Sequence, residues 1–143
     1  MKKSLIATAI LLVLIVVIGT ACGSKTGSNI STGKAIKTVT IDKLTATLSN
    51  STGQLKRGDQ EVMLAFTDSS GKAVDVGAVS LSFHMAQMGT MSAMTDDTTF
   101  TTTNTPGVYR GKVNVEVAGE WQAQLAYEGP AGKGKTTFSV TAQ

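Results

Sequence analysis

The sequence predicts an all-β protein, folded as an antiparallel β-sandwich of about seven strands. Threonine and valine, which favour strands, are abundant from residue 38 onward. Apolar and polar residues alternate in this region with a period of two, as expected for strands that have one buried and one solvated face. Turn-forming sequences separate these segments, and none of them has the 3.6-residue periodicity of an amphipathic helix.

The alternation assigns a set of inward-facing residues to the predicted strands. Val39-Thr40-Ile41 and Leu44–Leu48 differ in phase, which indicates either a bulge or two short strands. Threonines 98–103 surround Phe100, and a glycine-rich loop is predicted over Glu128–Lys135 before the last strand. The predicted inward residues are Val62, Leu64 and Phe66, then Val79, Leu81, Phe83 and Met85, then Tyr109, Val113, Val115 and Val117, then Trp121, Ala123, Leu125 and Tyr127, and finally Phe138 and Val140.

The N-terminus has the features of a secretory signal. Lys2 and Lys3 precede an apolar run, Leu5–Ile18, whose 14 residues are fewer than the ~20 that a membrane-spanning helix needs. Residues 18–22 resemble a bacterial lipobox, which implies cleavage before Cys22 and lipid attachment to that cysteine. An uncleaved signal anchor and a buried cysteine are the alternatives.

These features predict three regions: a helical signal peptide over 1–21, a flexible tether over 22–37 and a β-sandwich domain over 38–143. The lipid on Cys22 would hold the protein on the extracytoplasmic face of the cell membrane. Cys22 is the only cysteine, so no disulfide can form within the chain. The net charge of +3 falls to +1 when Lys2 and Lys3 are removed, which gives no electrostatic reason to expect nucleic-acid binding.

A cluster of methionines is the main candidate for a functional site. Four of the six methionines, Met85, Met88, Met91 and Met94, are spaced three residues apart, and the single histidine, His84, adjoins them. Thioether sulfur is a soft ligand that selects Cu(I), and neutral imidazole also binds copper. The sequence therefore predicts a copper site, with copper as Cu(I), formed by Met88, Met91 and Met94, to which Met85 and His84 are candidate additions.

Packing is the alternative explanation for the same residues. Met85 continues the phase of Leu81 and Phe83, which predicts a core position. The spacing of three also fits a short helical or 3₁₀ turn, and methionine often fills gaps in cores. His84 taken singly is a solvent-facing strand residue, and Asp96-Asp97 is predicted as a solvated turn.

Four segments, Gly71–Val74, Val79–Met85, Pro106–Gly111 and Val117–Ala123, have the pattern of a known family. Through them the domain resembles the YtkA-like family of small extracytoplasmic domains, which is related in style to FixH-type proteins. The resemblance covers most of residues 38–141. It implies an immunoglobulin-like sandwich with a Met/His-rich loop after a central strand, and an association with copper handling or oxidase assembly. Members typically have Met-Pro at the strand end and a histidine inside the loop, whereas this chain has Met85-Ala86 and His84 before the loop, which favours a mainly thioether site.

The chain lacks the residues of a typical enzyme site. It has one histidine, no proposed Ser-His-Asp arrangement and only scattered carboxylates, and its Gly129–Lys135 segment lacks the P-loop pattern. The predicted function is therefore a non-enzymatic, membrane-anchored protein that holds or passes Cu(I), with a copper-using or copper-exporting membrane complex as the expected partner. The alternatives are a metal-free interaction module that docks on a membrane complex and a methionine sink for oxidants.

Overall fold

The computed structural model describes residues 32–143. The predicted signal peptide 1–21, the lipidation site Cys22 and most of the predicted tether lie outside these residues. The described part of the chain includes no helix long and apolar enough to span a membrane. It consists of eight β-strands: β1 Lys34–Ile41, β2 Leu44–Asn50, β3 Gly58–Thr67, β4 Ala78–Met85, β5 Met94–Thr102, β6 Val108–Val115, β7 Gly119–Gly129 and β8 Gly132–Ala142.

The strands form one antiparallel, barrel-like sheet in the order β1-β2-β3-β6-β5-β4-β7-β8. Strand β5 joins its two halves: residues 94–99 pair with β4, whereas residues 100–102 pair with β6. The outermost strands of the order, β1 and β8, lie next to each other. The predicted all-β, antiparallel fold is confirmed, with eight strands where about seven were expected.

The extra strand comes from the region where the alternation changed phase. Val39-Thr40-Ile41 and Leu44–Leu48 are parts of two strands, joined by a hairpin turn at Asp42 and Lys43. Asp42 adopts a positive φ of 55°, a conformation that aspartate tolerates better than most residues. β1 also begins at Lys34, because residues 34–37 pair with β2 around a bulge. The first strand therefore starts four residues before residue 38.

The glycine-rich segment near the C-terminus is shorter as a loop than predicted. β7 and β8 pair continuously up to Gly129 and Gly132, so that only Pro130 and Ala131 form the turn. Close packing explains the glycines here. A Cβ on Gly129 would lie 2.4 Å from the carbonyl oxygen of Val76. The β7–β8 turn can therefore approach the β3–β4 loop this closely only because residue 129 has no side chain.

The core lies inside the curved sheet, where the alternating residues of all strands meet. Phe66 packs edge-on against Tyr109 and Tyr127, with ring centroids 5.9 and 5.7 Å away, a favourable geometry for aromatic pairs. Trp121 is also fully buried, and its Nε1 donates a hydrogen bond to the Val117 carbonyl at 3.0 Å. The structure thus buries nearly all the residues that alternation assigned to the interior.

Alternating strand directions divide the loops between two ends of the sheet. We call the end at which β1 begins the proximal end. It also carries the β2–β3 loop, the β4–β5 connection, the β6–β7 turn and the C-terminus. Contacts join these parts, because Arg57 Nε donates to the Glu116 carbonyl at 2.8 Å and the Gln143 N–H donates to the Leu55 carbonyl at 2.9 Å. The distal end carries the other three strand connections and the β1–β2 turn.

Tyr109 ties the β3–β4 loop to the core. Its hydroxyl donates to Asp75 Oδ1 at 2.8 Å and accepts from the Val76 N–H at 2.9 Å. Burial, and secondly the hydrogen bond to Asp75, raise the pKa of Tyr109. The hydrogen bond from the Gly77 N–H, and secondly that from Tyr109, lower the pKa of Asp75. The phenol is therefore held protonated beside an ionised carboxylate.

Replacing Tyr109 with Phe is expected to destabilise the domain by about 1–3 kcal/mol, because it leaves the buried Val76 N–H without a partner. The ring packing against Phe66 remains, so the fold should persist. Urea denaturation followed by Trp121 fluorescence measures the loss. An unchanged midpoint would mean that water or another oxygen replaces the hydroxyl.

Candidate functional site

The four clustered methionines form two cross-strand pairs at the proximal end of the β4–β5 hairpin. Met85, the last residue of β4, lies directly opposite Met94, the first residue of β5. Beyond them the chain opens and then closes again as an isolated bridge between Met88 and Met91. The spacing of three along the sequence therefore reflects a hairpin, in which methionines face each other, and not a helical turn.

Met88 and Met91 exchange two backbone hydrogen bonds. The Met91 N–H donates to the Met88 carbonyl at 2.9 Å, and the Met88 N–H donates to the Met91 carbonyl at 3.3 Å. Residues paired in this way have Cα atoms about 5.5 Å apart. Because methionine has three flexible side-chain bonds, the two sulfurs of such a pair can approach a single ion.

Gly89 makes this tight connection feasible. The turn between the two methionines consists of Gly89 and Thr90, and Gly89 has a φ of 58°. A positive φ at the first central position, followed by a residue without one, is the arrangement of a type II′ hairpin turn, which favours glycine there. The backbone thus fixes Met88 opposite Met91 without help from side-chain packing.

Replacing Gly89 with Val is expected to loosen this turn while leaving the rest of the domain intact. A Cβ at Gly89 would touch nothing within 4 Å, so the cost is backbone strain, about 1–2 kcal/mol. Hydrogen exchange at the Met91 amide should accelerate roughly 5–30-fold. Thr90→Val is the matched control, because Thr90 has no positive φ, and equal acceleration in both variants would contradict the assigned turn.

Exposure to solvent separates the outer pair, Met88 and Met91, from the inner pair, Met85 and Met94. Met88 and Met91 are 56% and 39% exposed, whereas Met85 is 4% exposed and belongs to the core. Met94 is half-buried and packs against the same core. The terminal methyl of Met85 lies beside Gly119, 3.1 Å from the position that a Cβ would take there. The predicted core position of Met85 is thus where the structure places it, and the outer pair alone is freely accessible.

The structure places His84 on the other face of β4 from its neighbour Met85. His84 is exposed, and its Nδ1 lies 3.2 Å from Thr95 Oγ1 on β5. Its other cross-strand neighbour is Gln122 on β7. The imidazole therefore belongs to the polar outer face of the sheet. His84 and Met85 cannot bind the same ion while β4 keeps this alternation.

Asp96 and Asp97 are strand residues, so their assignment to a solvated turn is wrong. Asp97 Oδ1 accepts a hydrogen bond from Ser82 Oγ at 2.6 Å on the outer face. Asp96 Oδ2 accepts a hydrogen bond from the backbone N–H of Asn114 at 3.0 Å. This bond links β5 to β6 in the part of β5 that pairs with β4 and not with β6. Both carboxylates thus hold strands together, a role that sequence gives no sign of because the partners are distant along the chain.

Thioethers are the donors that the hairpin offers to a metal. Across residues 32–143, no three carboxylate, imidazole or thiol side chains come close enough to form a metal-binding group. Residues 85–95 also contain no charged side chain. A hard, oxygen-seeking cation such as Ca²⁺ or Mg²⁺ has no suitable ligand set at this end of the β4–β5 hairpin, whereas a soft cation has two exposed sulfurs.

Comparison with known proteins agrees with the sequence-based resemblance. The family described as YtkA-like matches residues 38–126, which confirms the predicted family from the second half of β1 to most of β7. The matched segment includes the complete β4–β5 hairpin with its four methionines. No curated protein and no solved structure gives a significant match.

Proposed function

Since the chain belongs to the YtkA-like family, which indicates an extracytoplasmic domain, we propose that it is a membrane-anchored protein that binds Cu(I) through Met88 and Met91. The lipid on Cys22 would anchor it to the membrane. The observation that carries the copper proposal is the pair of exposed thioethers, held opposite each other by a two-residue turn. The proposed role is to hold Cu(I) and pass it on, without catalysis.

Copper in its reduced state suits this ligand set better than other ions. Thioether sulfur is a soft ligand, and soft cations such as Cu(I) prefer it to oxygen. Two ligands from a small, exposed turn leave the ion open on its outer side, which favours transfer to another protein. Met94 is the third candidate ligand, because it begins β5 and is only half-buried. Met85 and His84 fit structural roles better.

A titration with Cu(I) under reducing, anaerobic conditions tests this proposal. We expect one Cu(I) per chain, with a dissociation constant below micromolar, measured by competition with a chromogenic Cu(I) chelator. Zn²⁺, which prefers nitrogen and thiolate ligands, is the control ion and should not compete. The absence of any binding tighter than micromolar would refute the copper proposal.

The affinity for Cu(I) should be nearly constant between pH 7 and pH 5. Thioethers carry no proton, so protons do not compete with the metal for them. A site that required neutral imidazole would weaken as the pH falls through about 6.5. Repeating the titration at both pH values measures this, and a tenfold loss at the lower pH would assign His84 to the site.

The second candidate function is a metal-free interaction module that docks on a membrane complex. It is favoured by the exposure of Met88 and Met91, the only exposed large hydrophobic side chains within residues 32–143. Flexible methionine surfaces suit adaptable binding. Leucine in place of both methionines separates the two functions, since it keeps the apolar surface and removes the sulfur.

A further inference from the structure

The methionine tip, residues 86–93, lies at the end of the domain where the chain arrives from the proposed anchor. Strand β1 starts at Lys34 at the proximal end, and the tip leaves β4 at that same end. Met85 beneath it packs beside Gly119 of the β6–β7 turn region, and that turn is bonded to Arg57 of the β2–β3 loop. The tip and the point of chain arrival therefore face the same direction.

The distance to the anchor is short. Nine residues, 23–31, lie between Cys22 and the described domain, so the ten steps from Cys22 to Thr32 extend at most about 35 Å. Strands of seven to eleven residues make the domain itself roughly 30 Å long. The proximal end can thus reach the membrane surface, whereas the distal end is held away from it whenever the proximal end is in contact.

The composition of the tip matches a lipid surface. Residues 85–95 carry no charge, and Met88 and Met91 expose their apolar side chains at the outermost turn. A two-residue turn presents far less than the roughly 800 Å² per partner that a stable protein–protein interface buries. Tethering compensates for such a small contact, because it raises the effective concentration of the tip at the bilayer.

We propose that the methionine tip inserts into the headgroup region of the membrane that carries the lipid anchor. This inference rests on the anchoring part of the proposed function, because without lipid on Cys22 the tip is not held near a bilayer. It gives the copper site a location, in which the two thioethers lie at the lipid surface. Transfer of Cu(I) would then occur to proteins embedded in that membrane.

Fluorescence quenching in lipid vesicles tests the insertion. The lipidated protein, which begins at Cys22, is placed in vesicles of phosphatidylethanolamine and phosphatidylglycerol, with a thiol-reactive NBD dye on Thr90→Cys or, as the control, on Ser69→Cys at the distal end. Acylated Cys22 has no free thiol to label. We expect brominated lipids to quench the dye at position 90 at least about twofold more than the dye at position 69. Equal quenching, or none at position 90, would overturn the proposal.

Two further measurements separate this inference from the copper proposal. Met88→Leu with Met91→Leu should keep the quenching at position 90 although it removes the sulfur ligands, whereas Met88→Glu with Met91→Glu should abolish it. Mass spectrometry of the N-terminal peptide reports acylation of Cys22 directly. Quenching that persists in the Met88→Glu, Met91→Glu variant would refute insertion, whatever the Cu(I) titration shows. Cu(I) binding in detergent together with no quenching in vesicles would refute insertion but not the copper proposal.

Discussion

Replacing both Met88 and Met91 with Leu is expected to lower the affinity for Cu(I) at least about 100-fold, which corresponds to ~2.7 kcal/mol of binding free energy. Leucine preserves the apolar character and approximate size of both side chains but offers no lone pair to the ion. Because both residues are exposed at a turn, the free energy of unfolding should change by less than about 0.5 kcal/mol. Competition titration and urea denaturation of the same preparation measure the two quantities.

Met63 provides the matched control for this experiment. It is half-buried in β3, opposite Ser49 and Arg110, and has no part in the β4–β5 hairpin. Met63→Leu should therefore leave the Cu(I) affinity within about twofold of the unchanged protein, which is less than about 0.5 kcal/mol. Equal affinities of Met63→Leu and the double variant would contradict a site at the hairpin.

Replacing Trp121 with Ala is expected to destabilise the domain by about 3–5 kcal/mol, the range for deleting a large buried aromatic side chain. Trp121 is 1% exposed, and its ring belongs to the same core as Met85 beneath the hairpin. A loss of this size is a large part of the stability of a small domain. Denaturation by urea, followed by far-UV circular dichroism because the fluorophore is gone, measures it.

Trp121→Phe distinguishes packing from hydrogen bonding. Phenylalanine keeps most of the apolar volume but cannot donate to the Val117 carbonyl, which the indole does at 3.0 Å. The expected loss is therefore smaller than in Trp121→Ala, by at least about 1 kcal/mol. If both variants lost the same stability, the hydrogen bond rather than the buried volume would dominate at this position.

Strand alternation predicts the interior of the domain well. Along β4, Leu81, Phe83 and Met85 alternate with polar residues, and each of the three is buried. The same holds for Trp121 through Tyr127 in β7. These strands have one face in the core and the other in solvent, so that burial alone determines their pattern. Alternation is therefore sufficient to assign Met85 to the core and to separate it from the exposed methionines of the tip.

Long-range pairing explains what the sequence does not reveal. Nothing local indicates that β5 pairs with β4 over one half and β6 over the other, or that Asp96 bonds to the Asn114 backbone 18 residues away. The β1–β2 hairpin turn uses Asp42 at positive φ in place of the more usual glycine, so the phase change leaves two interpretations open. The methionine spacing fits a helical turn and a hairpin equally, and pairing decides between them.

The methyl resonances of the methionines test the central claim, that Cu(I) binds between Met88 and Met91, most directly. In protein labelled with ¹³C at the methionine methyl groups, addition of one equivalent of Cu(I) under anaerobic conditions should shift the signals of Met88 and Met91. Met63, which lies outside the hairpin, and the buried Met85 serve as internal references. The proposal predicts that these two signals stay in place. Unchanged signals from Met88 and Met91, or equal shifts of all the methyl groups, would contradict it.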